Sequence, residues 1–273
     1  MDYETPVRNW LCKIMFRQDR CRSDPPLSSA QRLRGFYVTF WQIMGFGDQG
    51  WAADMLRATV STCTIALCGF LFGGVIGCLG CWAKLSRYSV LHWLADLYTT
   101  VLRGVPDLLV IYLFYFGSSM VLTQVAQSLG VNGFMGLPAF LIGFLAISVV
   151  CGAYQIEVLR GAFGSVPPGS IEAGRSLGLG GFKLLLLVVA PQALRFALPG
   201  LGNIWLLVLK ESALISVVGM VELMRQSQIG AGATHQPFYF YATAGALYFL
   251  ISLSSSHLIG RLERRLSLPM RRA

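Results

Sequence analysis

The sequence predicts an all-α integral membrane protein with five membrane-spanning helices. The first observation is composition: of 273 residues, 55% are hydrophobic and only 13% are charged. A soluble domain carries about 25% charged residues, because its surface needs them. The second is the bunching of those charges. No Asp, Glu, Lys or Arg occurs in 58–83, 108–156 or 226–260, runs of 26, 49 and 35 residues. A spanning helix needs about 20 mostly apolar residues, so these runs alone hold three to four spans. The third is that the runs are continuous rather than alternating, which excludes a β-barrel. A soluble enzyme and a disordered chain are excluded by the same numbers.

Residues 1–53 read as a basic tail followed by an interfacial segment. Pro25-Pro26 sit in the polar part, and Phe36, Tyr37, Phe40, Trp41, Phe46 and Trp51 mix with Gly45, Gly47 and Gly50 in the rest. That mixture is too broken to span and suits headgroup depth, where aromatics gather. Residues 54–262 form the membrane domain and 263–273 a C-terminal tail.

The first span is expected at about 57–82. Gly69, Gly73 and Gly77 recur every four residues and share one helix face. Small residues at that spacing let helices approach closely, here within one subunit. The second span is expected at about 105–124 and the third at about 137–157, with Gly130, Asn132, Gly133, Gly136 and Pro138 marking the turn between them. Pro106 and Asp107 suit a helix start: proline fits the first position, and an acid favours the positive end of the dipole. Residues 158–195 read as a long polar but ordered cytoplasmic loop, a length that usually signals function. The fourth and fifth spans follow at about 196–220 and 237–259.

The net charge is +9, from 22 Lys and Arg against 13 Asp and Glu. It reads as the cytoplasmic bias of membrane proteins rather than as a nucleic-acid footprint. Three Lys or Arg fall in 83–103, four in 158–195 and five after 260, against none in 125–136 and one in 221–236. This places 83–103, the loop 158–195 and the C-terminus in the cytoplasm. Five spans then put the N-terminus outside, although residues 1–57 carry eight Lys or Arg. A functional start at Met44 removes seven of those eight. That start, or an unusual extension, is preferred to a sixth span through Gly45, Gly47, Asp48 and Gly50.

No catalytic, cofactor or metal site is expected. Cys78 and Cys81 have the spacing of a metal or redox pair, but no second pair follows, and His92, His235 and His257 are far apart. Buried apolar cysteine is the reading taken. A P-loop needs Gly immediately before its Lys. The four lysines follow Cys12, Ala83, Phe182 and Leu209. The chain therefore has no P-loop for ATP.

The loop carries the most specific pattern. Glu172-Ala173-Gly174 is followed after three residues by Gly178, and after nine more by Val188-Val189-Ala190-Pro191. This resembles the cytoplasmic loop of permease subunits of bacterial ATP-binding-cassette importers. That family's pattern is Glu-Ala-Ala, three residues, Gly, nine residues, Ile, any residue, Leu-Pro. Glu172, Ala173, Gly178 and Pro191 match it, whereas Gly174, Val188 and Ala190 depart from it with small or apolar residues. "RGVPDLLVIYLFYFG", "YQIEVLRGAF" and "LPGLGNIWLLVLKESALISVVG" resemble the polar amino acid branch, over about 45–265. The Arg103-Gly104-Val105-Pro106-Asp107 form resembles members handling histidine, arginine, ornithine or opines such as octopine and nopaline.

The resemblance implies a type-1 importer permease fold, with Glu172, Ala173, Gly174, Gly178 and Pro191 coupling the chain to separate ATPase subunits. Physically, Glu172 to Leu177 can form a short helix bounded by Pro167-Pro168 and Ser170. Gly178, Gly180 and Gly181 can supply the left-handed turn that ends it. The resemblance also implies a second permease copy or a sister permease, a periplasmic solute-binding protein, the lipid bilayer of the bacterial inner membrane and a polar amino acid substrate, with no nucleic acid.

Lys210 and Glu211 lie about fourteen residues into the fourth span, about 21 Å at 1.5 Å per residue. Charges at that depth face a cavity or a partner and mark substrate routes. Lys210, Glu211 and Ser212 are therefore the candidate substrate path, with a structural ion pair as the competing reading. An ion-coupled secondary amino acid transporter is the alternative function. It has little support, since the second half shows no convincing repeat of the first.

Overall fold

The computed structural model describes residues 40–47, 50–128 and 136–267. The basic tail, the turn residues Gly130, Asn132 and Gly133, and the end of the C-terminal tail lie outside them. The chain divides into two units, Met1–Ala52 and Ala53–Ala273. In the described part of the first, residues 40–43 are helical and the chain doubles back, the Trp51 N–H reaching the Ile43 carbonyl at 2.9 Å.

The second unit is helical throughout its regular structure among the described residues, with five helices long and apolar enough to span a membrane. The elements are α1 (Ala52–Leu85), α2 (Ser89–Gly104), α3 (Asp107–Ser128), α4 (Ala139–Gly164), α5 (Pro168–Ser176), α6 (Gly181–Leu184), α7 (Ala190–Glu211), α8 (Leu223–Thr234) and α9 (Pro237–Ser267). A π turn, Leu185–Val189, joins α6 to α7, and a 3-10 segment, Ser212–Val218, continues α7.

α1 is 34 residues long, with Asp54 in its first turn and Lys84 in its last, each on the favourable end of the dipole. Its glycine face packs on α4. A Cβ at Gly69 would fall 2.4 Å from Ile147 Cγ2, and one at Gly77 would fall 2.9 Å from Gln155 Cβ. From α4, a Cβ at Gly152 would fall 2.7 Å from Ile76 Cγ2. The expected small-residue face is thus a contact within one chain. At its centre, the buried Gln155 amide donates to the Phe70 carbonyl at 3.1 Å.

α2 and α3 form a broken pair. Val105 is extended (φ −97°, ψ 139°), as a residue before proline is driven to be. The Pro106 carbonyl then accepts the Leu109 N–H, and α3 starts at Asp107. α4 packs against α2, α3 and α7, and α7 against α9. Ile65, Ile111, Ala146, Ile147, Val208, Leu209 and Ile215 form the shared core.

The segment expected as a loop over 158–195 is mostly helical. α4 runs on to Gly164, and the fourth span starts at Gly181 rather than 196. The charges at Arg160, Lys183 and Arg195 made this stretch read as loop. They ride on the helices α4, α6 and α7. Pro191 is consequently inside a continuous helical rod. It sits in the first turn of α7 directly after the π turn, where a missing N–H is tolerated.

Candidate functional site

Three groups of polar side chains interrupt this apolar bundle. The first is the short helix α5. Pro168 occupies its first position, where its ring presets the backbone angle. The helix is closed by the Gly178 N–H on the Arg175 carbonyl (2.9 Å) and the Leu179 N–H on the Gly174 carbonyl (3.2 Å). Gly178 is left-handed at φ +76°. Among the described residues, the other left-handed glycine is Gly219, so Gly180 and Gly181 do not share in this turn. Glu172 and Ala173 lie on α5. Gly174 is buried, and a Cβ there would fall 2.4 Å from Leu184 Cδ1. Leu184 therefore gives a physical reason for glycine where the resemblance expects alanine. Leu177 and Phe182, flanking the turn, are exposed.

The second group lies where α2, α3, α4 and α7 meet. Glu211 is the last residue of α7, and the 3-10 segment carries the chain about 14 Å further at 2.0 Å per residue. Its half-buried carboxyl comes within hydrogen-bonding reach of Asp107, the first residue of α3. Tyr154 of α4 lies in the neighbourhood of both carboxyls, and Arg103 of α2 stacks over the Tyr154 ring at 5.9 Å from its centroid. Lys210 points elsewhere and is exposed, as a 100° step per residue allows. Ser212 is buried and donates to the Leu209 carbonyl at 2.8 Å.

Of the three residues singled out in the fourth span, Glu211 thus meets the polar cluster, Ser212 is fully buried against Leu209 and Tyr248 of α9, and Lys210 is exposed. Arg103, Asp107 and Tyr154 were not picked out as site residues. Asp107 was discounted as a helix start, and it is one. The signal that it does more is a second carboxylate, 104 positions later, that folding alone brings to it.

The third group ties α1, α2 and α4 together. Lys84 Nζ bonds Asp96 Oδ1 at 2.6 Å and also bonds Glu157. Arg160 donates twice to the other Glu157 oxygen, at 3.1 and 3.0 Å. His92 lies with one ring nitrogen on the Lys84 carbonyl and the other on Asp96. The Lys84 ammonium holds the Asp96 carboxyl below its ordinary value.

Outside the spans, Glu222 is fully buried and caps α8. Its carboxylate accepts the Met224 and Arg225 N–H groups at 2.8 and 2.7 Å and the Tyr248 hydroxyl at 3.0 Å. Burial pushes this carboxyl up despite those donors.

Residues 69–268 match the family described as binding-protein-dependent transport system inner membrane component. The octopine transport system permease protein OccQ of Agrobacterium tumefaciens (strain Ach5) is 58% identical over 228 residues, covering 84% of this chain and 96% of that protein. The histidine/lysine/arginine/ornithine transport system permease protein HisQ of Salmonella typhimurium is 34% identical over 224 residues, covering 82% and 98%. A crystal structure of an amino acid ABC transporter with histidines superposes with a TM-score of 0.67 at 29% identity, covering 86% of this chain and 97% of that one. The inward-facing MetNI methionine ABC transporter shares the fold alone, with a TM-score of 0.62 at 18% identity over 78% and 96%.

Proposed function

The chain belongs to the family of binding-protein-dependent transport system inner membrane components, and from that premise we propose how it transports and what it carries. It is the membrane-spanning permease subunit of an ABC importer of the amino acid and opine class, with the type-1 permease fold. An ion-coupled secondary transporter is not favoured.

The substrate is an opine or a basic amino acid. Relatives at 58% and 34% identity are named for octopine and for histidine, lysine, arginine and ornithine. All of these carry a cationic end. The observation that carries the reading is the meeting of Asp107 and Glu211. Two carboxyls within hydrogen-bonding reach repel when both are ionised, and a guanidinium or ammonium between them relieves that repulsion. Tyr154 offers a ring face and a hydroxyl beside them. Ser212, fully buried, supports α7 behind this wall, and the exposed Lys210 lies off the path.

α5 is the coupling element. Glu172, Ala173 and Gly174 form its body, Gly178 its stop, and Pro191 fixes the start of the span that follows. Exposed Leu177 and Phe182 give it an apolar face for a groove on a separate ATPase subunit. The ends of α1, α4 and α9 face the cytoplasm of a bacterial inner membrane, following the distribution of Lys and Arg. A second copy or a sister permease completes the path, and a periplasmic binding protein delivers the solute to the other face. ATP binding draws the two coupling helices together and switches the path between its outward and inward states.

The test is Glu211→Gln, which keeps size and removes the charge. Uptake of arginine falls steeply while membrane insertion and detergent melting temperature hold. A purely structural role for the Asp107–Glu211 contact predicts the opposite: the melting temperature falls, and uptake falls only with the amount of folded protein. Loss of stability in Glu211→Gln with arginine uptake per folded molecule unchanged overturns the substrate-path reading.

A further inference from the structure

A cavity of about 730 Å3 opens between the end of α1, the polar face of α2 and the end of α4. It is roomy enough for an amino acid or an opine. The faces of α2 say what kind of space it is. Val90, Trp93, Leu94, Leu97 and Val101 form an exposed apolar face suited to lipid, while Asp96, Thr100 and Arg103 lie on the other side. The cavity is therefore on the side of α2 turned away from lipid.

Its charges leave one cation over. Lys84 is divided between Asp96 and Glu157, and Arg160 is held by Glu157. Three cations thus face two carboxylates, and Arg103 makes no ion pair among the described residues. It stacks instead over the ring of Tyr154, a residue in the neighbourhood of Asp107 and Glu211. Arg103 therefore stands on the border between the carboxyl pair and the cavity.

We propose that this cavity is an inner station for the transported solute, binding its carboxylate at Arg103 and Arg160 on the way to the cytoplasm. The mixed walls suit a molecule carrying both signs, with Asp96 and Glu157 facing its cationic end. The proposal rests on the transport reading and orientation given above. It has a consequence for regulation. Solute that accumulates inside refills the station and favours the conformation in which the cavity is open. α4 carries Glu157 and Arg160 on its last turns and leads within four residues into α5, so occupancy bears directly on the coupling helix.

The test uses vesicles containing the permease with its ATPase subunits, with binding protein and labelled octopine outside and ATP inside. Initial uptake is compared between vesicles without internal octopine and vesicles loaded with unlabelled octopine. Loading is expected to slow the wild type about two-fold when the internal concentration equals the dissociation constant of the station. Thr100→Phe, which fills the cavity from an exposed wall, and Arg160→Gln should each bring the loaded-to-unloaded ratio back toward one. Equal rates in loaded and unloaded wild-type vesicles overturn the proposal and leave the transport reading standing. So does slowing that persists undiminished in both variants. Failure of unloaded wild-type vesicles to take up octopine or arginine overturns the transport reading, and the proposal with it. Should a variant assemble poorly, equilibrium binding of octopine to the purified wild-type complex without binding protein decides the matter. Competition by a guanidinium compound lacking a carboxylate as effective as by octopine itself contradicts a carboxylate site.

Discussion

Lys84, at the end of a membrane-spanning helix, holds Asp96 of the neighbouring helix at 2.6 Å, and the ammonium keeps that carboxyl below its ordinary value. A depressed carboxyl contributes stability that is present above its ordinary range and is lost as pH falls through the depressed value. The melting temperature of the purified permease should therefore drop on acidification through the range below ordinary aspartate. Asp96→Asn should flatten that part of the profile. An unchanged profile in the variant contradicts the link.

The α1–α4 contact depends on the missing side chains of its glycines. Gly77→Val would drive a branched side chain into Gln155, whose Cβ lies 2.9 Å from where the new Cβ would stand. Overpacking of this kind costs about 1–3 kcal/mol. Gly161→Ala, with nothing within 4 Å of the added Cβ, should cost less than the valine change. Denaturation in detergent checks the pair, and equal effects would refute the close approach.

Gly178 tests the coupling helix by conformation rather than by space. Its φ is +76°, and a Cβ there would meet nothing within 4 Å. Gly178→Phe should uncouple ATP hydrolysis from transport, because a left-handed backbone costs a side-chain-bearing residue about 1–2 kcal/mol. Gly178→Asn should retain most coupling, since asparagine tolerates that conformation. ATPase activity and uptake measured on the same vesicles separate the two. Normal coupling with phenylalanine would sink the assignment.

Glu222→Ala should destabilise the protein without touching the substrate path. It removes the acceptor of two backbone N–H groups and the Tyr248 hydroxyl at one buried point. Each buried donor left unpaired costs about 1–3 kcal/mol. A melting temperature within error of the wild type would show that water replaces the carboxylate there.

Much of this was legible before any coordinates. Charge-free runs placed most of the five spans, because a spanning helix needs about 20 mostly apolar residues, and the fourth stood out despite Lys210 and Glu211. Pro106-Asp107 gave the start of α3, and Gly178 gave the end of α5, which begins at Pro168 rather than at Glu172. The rest was hidden for identifiable reasons. α2 is masked in the sequence because Lys84, Arg87 and Arg103 give its stretch the charge of a connection, although Val90, Trp93, Leu94, Leu97 and Val101 share one face at helical spacing. The start of α7 at Ala190 is masked in the sequence by Arg195, whose charge reads as loop. The Asp107–Glu211 meeting spans three intervening elements, and no local pattern records it.

On the proposed function, this chain forms the path of an importer driven by ATP in a separate subunit. The most direct measurement is initial uptake of labelled octopine or arginine into sealed vesicles carrying the permease, its ATPase subunits and the binding protein, with no ion gradient imposed. Uptake is expected to require internal ATP and to be indifferent to ionophores. Uptake that proceeds without ATP and collapses when an imposed ion gradient is dissipated would contradict the proposed function.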